Sequence, residues 1–142
     1  IELPRYLIRP QMVSRAEDNR LIVDEFARWG DTLDLQLGRT ATQNLALLCQ
    51  DTLVLPFPWR TDFEPDLRII ADVTRFEADD TGVVRFDIRW AVTNVTTRAA
   101  VSIHEKSYRT SVDPSDPASI ASAMSDTVAQ FSREAAAALD RY

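Results

Sequence analysis

Residues 83 to 95, VVRFDIRWAVTNV, alternate in character. Val84, Phe86, Ile88, Trp90 and Val92 fall on one face, while Arg85, Asp87 and Arg89 fall on the other. A period of two over that length predicts a strand with one face on a core and the other wet. The preceding stretch DLRIIADVTRF repeats the pattern, with Leu67, Ile69, Ala71 and Val73 on one side and Arg68, Asp72 and Thr74 opposite. Between the two runs, EADDTG has the length and turn chemistry of an antiparallel hairpin. After TNVTTR a third strand begins, with Ala99, Val101 and Ile103 expected inward and Ser102, His104 and Lys106 on the opposite face. The polar face of this meander carries both signs of charge, spaced for cross-strand pairing.

Two stretches have the helical period instead. From Ile120 the apolar positions Met124, Val128, Phe131, Ala135 and Leu139 recur at steps of three and four. Asp116 is a good N-cap for that helix and Pro117 suits its first position. A helix from about Thr32 to Gln50 would bury Leu33, Leu37, Ala41, Leu45 and Leu48. Gly38 inside it costs about 1 kcal/mol relative to alanine.

The N-terminal third reads as extended. Residues 11 to 15 and 20 to 26 flank RAEDN as a hairpin, and the segment before them carries Pro4 and Pro10. Proline lacks an amide hydrogen, so this segment is expected to lie at a sheet edge or to enter and leave the sheet quickly. The sum is a single α+β domain over 1–142: an antiparallel sheet with two helices on one face, in the order β-β-β-α-β-β-β-α.

Composition narrows the function. The chain has 142 residues and a net charge of -6, and its sixteen basic residues are all arginine except Lys106. An acidic, mixed surface repels a phosphate backbone, so nucleic acid is not an expected partner. With three glycines, a phosphate-cradling loop is hard to build, and no GxSxG, P-loop or GxGxxG occurs. His104 is the only histidine, so a zinc site of the usual kind is not expected, and the residue reads as an exposed strand histidine. Cys49 has no basic neighbour to activate it and reads as a packed small hydrophobe at the edge of the first helix's buried stripe. Asp79 and Asp80 read as a solvated turn, because no ladder of oxygen ligands follows them. No catalytic residue, metal or cofactor is expected. What remains unusual is aromatic and proline content in irregular stretches: Tyr6 between two prolines, Trp29 in EFARWGD and Trp59 in VLPFPWR.

The run LPRYLIRPQMVSR, followed by NRL, Glu25, RW, QNLALL and PFPW, resembles the PqiC-type lipoproteins, the ABC-type transport auxiliary lipoprotein components. Their pattern is close to LPxYLxRPQxVxR, xNRLxxxExxRW, xxNLxxLL and a later PW. This chain supplies Leu3, Pro4, Tyr6, Leu7, Arg9, Pro10, Gln11, Val13 and Arg15, then Asn19, Arg20, Leu21, Glu25, Arg28 and Trp29. Asn44, Leu45, Pro58 and Trp59 complete the match. The resemblance is dense over the first 60 residues and agrees in layout beyond them. It implies a non-enzymatic lipoprotein on the periplasmic face of the outer membrane, anchored through a lipidated cysteine upstream of Ile1. It further implies service to a PqiB-type MCE-domain transporter that moves lipid between membranes and supports envelope integrity, with homo-oligomers consistent with that role.

Tyr6, Leu7, Arg9, Pro10, Gln11, Arg15, Trp29, Pro58 and Trp59 are the expected partner or subunit contacts. Rigid aromatic and guanidinium groups of this kind are enriched at interfaces. Pro4, Asn19, Arg20, Glu25, Asn44 and Leu45 are expected to serve the fold, with Asn19 in the hairpin turn and Arg20 paired with Glu25. The competing expectation is a periplasmic domain that binds a small molecule or lipid in a cavity between sheet and helices.

Overall fold

A helix–meander–helix unit, α-β-β-β-α, carries the core, and a short hairpin extends its sheet at one side. The computed structural model describes residues 1–7, 11–15, 21–28, 33–59 and 62–142, and for Tyr6, 11–15 and 21–28 it describes the backbone only. The elements are β1 (Gln11–Arg15), β2 (Leu21–Arg28), α1 (Leu33–Leu48), β3 (Leu67–Asp79), β4 (Val83–Asn94), β5 (Ala100–Ser111) and α2 (Pro117–Leu139). The strands form one five-stranded sheet in the order β2-β1-β3-β4-β5. Both β3–β4 and β4–β5 are antiparallel, as the alternating pattern predicts.

In β4, Val84, Phe86, Ile88, Trp90 and Val92 all point into the core and are essentially inaccessible to solvent. In β3 the inward row runs through Ala71 and Val73, then shifts to Phe76 and Ala78. An irregularity in the pairing between Val73 and Arg75 inserts one extra residue, and this swaps the faces. Helix α2 lies on β3, β4 and β5, and α1 packs against α2. Phe131 of α2 meets Phe86 edge-on at 6.1 Å and Trp90 at 5.7 Å. The start of α2 is as expected: Pro117 occupies the first turn, and the Asp116 carboxylate accepts from the Ala118 amide at 3.1 Å.

Four expectations change or narrow. First, β5 is turned over. Its register sets His104 opposite Trp90 and Ile103 opposite Ala91, so Val101 and Ile103 face solvent and Ser102 and His104 face the helices. An apolar pair at a strand's start does not fix its face; the neighbour's register does. Second, Leu48 is 47% exposed, and Cys49 takes its place in the core. The buried row of α1 advances in strict steps of four, as a single ridge seated on α2 does, and the next position after Leu45 is Cys49.

Third, of the two courses expected for the proline-bearing segment, its described residues 1–7 take the second, touching the sheet briefly and forming no edge strand. Glu2 makes an isolated parallel bridge to Asp72, Arg5–Leu7 form a 3-10 turn closed by the Leu7 amide on the Pro4 carbonyl at 3.1 Å, and β1 begins only at Gln11. Pro4 therefore falls in the interval between two points of pairing, where a missing amide hydrogen costs nothing. The edge strand is β2, and β1 lies inside it. Fourth, β1 joins β3 in parallel, through Ser14 beside Ala78 and Arg15 beside Asp79, so the sheet is mixed at that one junction.

Candidate functional site

The two ends of the molecule differ sharply in character. The Asp66 carbonyl accepts from the Val95 amide at 3.0 Å, and the Tyr142 hydroxyl donates to the Val101 carbonyl at 3.4 Å. These bonds bring together the start of β3, the end of β4, the start of β5 and the end of α2. Helix α1 ends there too, because Cys49, just past its last turn, lies close enough to Asp140 for the charge to act on its thiol. From that point the described residues 49–59 and 62–66 have no regular structure.

This end is apolar on its outside. Leu47, Leu53 and Phe57 are 73%, 72% and 76% exposed, and Leu48, Leu55 and Phe63 are exposed beside them in sequence. Val54 turns inward to pack on the core, while Leu53 and Leu55 on either side of it are exposed. The Phe57–Pro58 peptide is cis, and the rings of Phe57 and half-buried Trp59 meet edge-on at 5.2 Å. The apolar surface continues onto the sheet face away from the helices. There Ile70, Ala91 and Ile103 stand in one cross-strand row beside Val101, and Ile103 is 70% exposed. Isolated exposed leucines need no explanation, but this concentration at one end marks a surface made to be covered.

The opposite end is built from carboxylates that organise turns. Asp79 accepts from the amides of Thr81 and Val83 and from the Thr81 hydroxyl, and Asp113 accepts from the Ser115 amide and hydroxyl. Burial works against the Asp79 charge, but these donors and the Arg75 guanidinium outweigh it and hold the carboxyl below its ordinary range. Asp113 is lowered by its two bonds to Ser115. The expected solvated turn at Asp79 and Asp80 is thus a turn that Asp79 itself ties down.

The outer face of the sheet carries the mixed charges. Arg85 pairs with Asp87, which also accepts from Ser107 at 2.6 Å, and Arg89 reaches Glu105 across strands at 3.6 Å. A cleft of about 230 Å³ opens here, lined by Thr74, Arg85, Asp87, Glu105 and Ser107 among others. Its polar groups are largely bonded to one another. Glu77 is one residue that the sequence gave no reason to single out. It lies on this outer face yet is 1% exposed, with one oxygen 3.0 Å from the Arg75 Nε and the other accepting from the Phe76 amide. Only the strand's extension past Phe76 places it there.

The remaining candidates are placed as follows. His104 is half-buried and stacks on Trp90 at 4.0 Å and 14°, and its Nε2 has no hydrogen-bond partner among the described residues. It is therefore not the exposed strand histidine expected. Cys49 is buried, and burial, with the nearby Asp140 charge, pushes its thiol up, away from reactivity. Among the described residues no group of histidine, cysteine, aspartate and glutamate is placed to hold a metal. Leu7, expected as a contact residue, is 2% exposed and belongs to the core. Asn44 donates to Ser132 Oγ at 3.2 Å, tying α1 to α2, and Leu45 is buried beside it. Pro58 is exposed. Gln11, Arg15 and Glu25 are placed by backbone only, and Tyr6 stands in the 3-10 turn by backbone only. Arg9, Pro10, Asn19, Arg20 and Trp29 lie outside the described residues, and so do the expected Asn19 turn and the Arg20–Glu25 pair.

A family model described as the ABC-type transport auxiliary lipoprotein component matches residues 1–136. Two crystal structures share the fold. One, of an uncharacterized protein, has 19% identity and a TM-score of 0.84, covering 96% of this chain and 86% of that one. The other, a DUF330 protein of Xanthomonas campestris, has 18% identity and a TM-score of 0.75, covering 94% of this chain and 75% of that one. A comparison with curated proteins finds no match.

Proposed function

The chain belongs to the ABC-type transport auxiliary lipoprotein components, and we propose that it serves its transport system by contact alone, breaking no bonds. On this reading it is tethered by lipid to the periplasmic face of the outer membrane. It acts as a homo-oligomeric accessory to a PqiB-type MCE-domain protein and supports lipid passage and envelope integrity. Membership in a lipoprotein family implies a membrane anchor through lipid, and none of the described helices is long and apolar enough to cross a bilayer. The observation that carries the contact reading is the family match over residues 1–136, which makes the chain an auxiliary component of a transport system.

Tyr6, Arg9, Pro10, Gln11, Arg15, Trp29, Pro58 and Trp59 are the residues we assign to protein contacts. The test is association of the chain with the MCE-domain protein, measured by light scattering and by titration calorimetry. Replacing Tyr6 or Trp59 by alanine should weaken association by about 2 kcal/mol or more, close to thirtyfold, with the unfolding midpoint unchanged. Loss of binding in step with loss of fold would show that these aromatics close the core instead.

The competing lipid-pocket reading requires an apolar cavity on the order of 300 Å³ or more. Phe86, Ile88, Trp90, Met124 and Phe131 are all buried in one core, and the cleft on the outer face is lined mostly by charged and hydroxyl side chains. The geometry favours a filled core. Native mass spectrometry showing a co-purified lipid would reverse that preference.

A further inference from the structure

We propose that the apolar end is a membrane-seating surface, through which Leu53, Phe57 and Phe63 sink into the zwitterionic phospholipid surface that carries the anchor. The proposal rests on the anchored reading above and adds what this domain's own residues do at the bilayer.

Chain direction supplies the first argument. The Glu2 amide donates to the Ala71 carbonyl at 2.9 Å, the Val73 amide donates to the Glu2 carbonyl at 2.8 Å, and the bridge between Glu2 and Asp72 is parallel. The chain therefore enters this bridge from the Leu67 side of β3, with Ile1 level with Ala71 and Leu67 further back along the strand. That distance is four residues, about 13 Å, and it ends at the apolar surface. A lipid attached upstream reaches the membrane from this end and not from the carboxylate end.

The second argument is shape. Leu53 and Phe57 stand out from an irregular segment, and single aliphatic and aromatic protrusions suit entry into the headgroup–acyl boundary. The third is charge. Asp51, Asp62, Glu64, Asp66 and Asp140 are exposed at this end and outnumber the exposed Arg68, Arg98 and Arg141 there, and the far end carries Asp79, Asp80, Asp113 and Asp116. Anionic lipid therefore does not attract this surface, and seating comes from apolar burial. A consequence for orientation follows. With β3 thirteen residues long, the carboxylate end stands about 40 Å from the lipid surface.

The test uses the 142-residue chain with an N-terminal histidine tag, tethered to phosphatidylcholine vesicles through a nickel-chelating lipid. In a Cys49→Ala background, an environment-sensitive dye is attached at Leu53→Cys or, at the other end, at Asp80→Cys. The dye at position 53 should brighten and shift to the blue on tethering, the dye at position 80 should not, and 1 M salt should leave both unchanged. Adding Phe57→Ser and Phe63→Ser should abolish the shift while the unfolding midpoint holds. No shift at 53, or an equal shift at 80, overturns the proposal. A shift at 53 without vesicles, growing with protein concentration, also overturns it and assigns this end to a second copy. Either failure leaves the contact reading intact if the MCE-domain association persists, so the two are separable.

Discussion

Alanine in place of glycine should act with opposite sign at two positions in this chain, and the structure supplies both magnitudes. At Gly38, in α1, an added methyl group meets nothing within 4 Å. The Thr42 hydroxyl donates to the Gly38 carbonyl at 2.8 Å, a bond that a methyl on Cα does not disturb. Gly38→Ala should then stabilise by about 0.5–1 kcal/mol through helix propensity. At Gly82, in the β3–β4 turn, φ is +83°, and a Cβ would stand 2.7 Å from the Val112 carbonyl oxygen. That carbonyl cannot yield easily, because the Val112 amide is fixed on the Gly82 carbonyl at 2.8 Å. The left-handed conformation costs about 1–2 kcal/mol and the forced contact about 1–3 more, so Gly82→Ala should destabilise by about 2–5 kcal/mol. Both changes narrow the unfolded chain by the same amount, so the difference between them isolates the folded state. Urea titration followed by circular dichroism gives each free energy. Thermal midpoints should rise by about 2–4 °C for Gly38→Ala and fall by roughly 5–15 °C for Gly82→Ala. Equal midpoints for the two variants would refute the turn geometry, and a destabilised Gly38→Ala would mean that this face of α1 is covered.

Two further outcomes follow from the same packing. Phe131→Ala, which empties the space between Phe86 and Trp90, should cost about 3–5 kcal/mol, whereas Phe57→Ala on the apolar end should stay within about 0.5 kcal/mol; denaturant midpoints decide both. Asp79 and Asp113 have folded pKa values below the ordinary 3.8, so the stability they contribute is present in full above that value and disappears as pH falls through the lower folded values. Asp79→Asn should accordingly flatten the loss of stability measured by thermal unfolding between about pH 4 and pH 2.

The alternation of 83 to 95 determined by itself that a strand lies there and which of its faces is buried, because both faces are long and each is uniform. Asp116 and Pro117 fixed where α2 begins, since capping is a matter of adjacent residues. The dense residue pattern of the first 60 positions pointed to the family. Other features depend on partners distant in sequence. The face of β5 followed from pairing Trp90 with His104, and the choice of Cys49 over Leu48 followed from the ridge that α2 receives. The placement of Glu77 on the outer face needed the irregularity that swaps the faces of β3. The apolar end is the clearest case. Leu47, Phe57, Phe63, Val101 and Ile103 are scattered over more than fifty residues, and nothing local marks them as exposed. Periodicity reports which side chains share a face of one element. Only the meeting of α1, α2 and the three long strands at one end decides which of those faces is left uncovered.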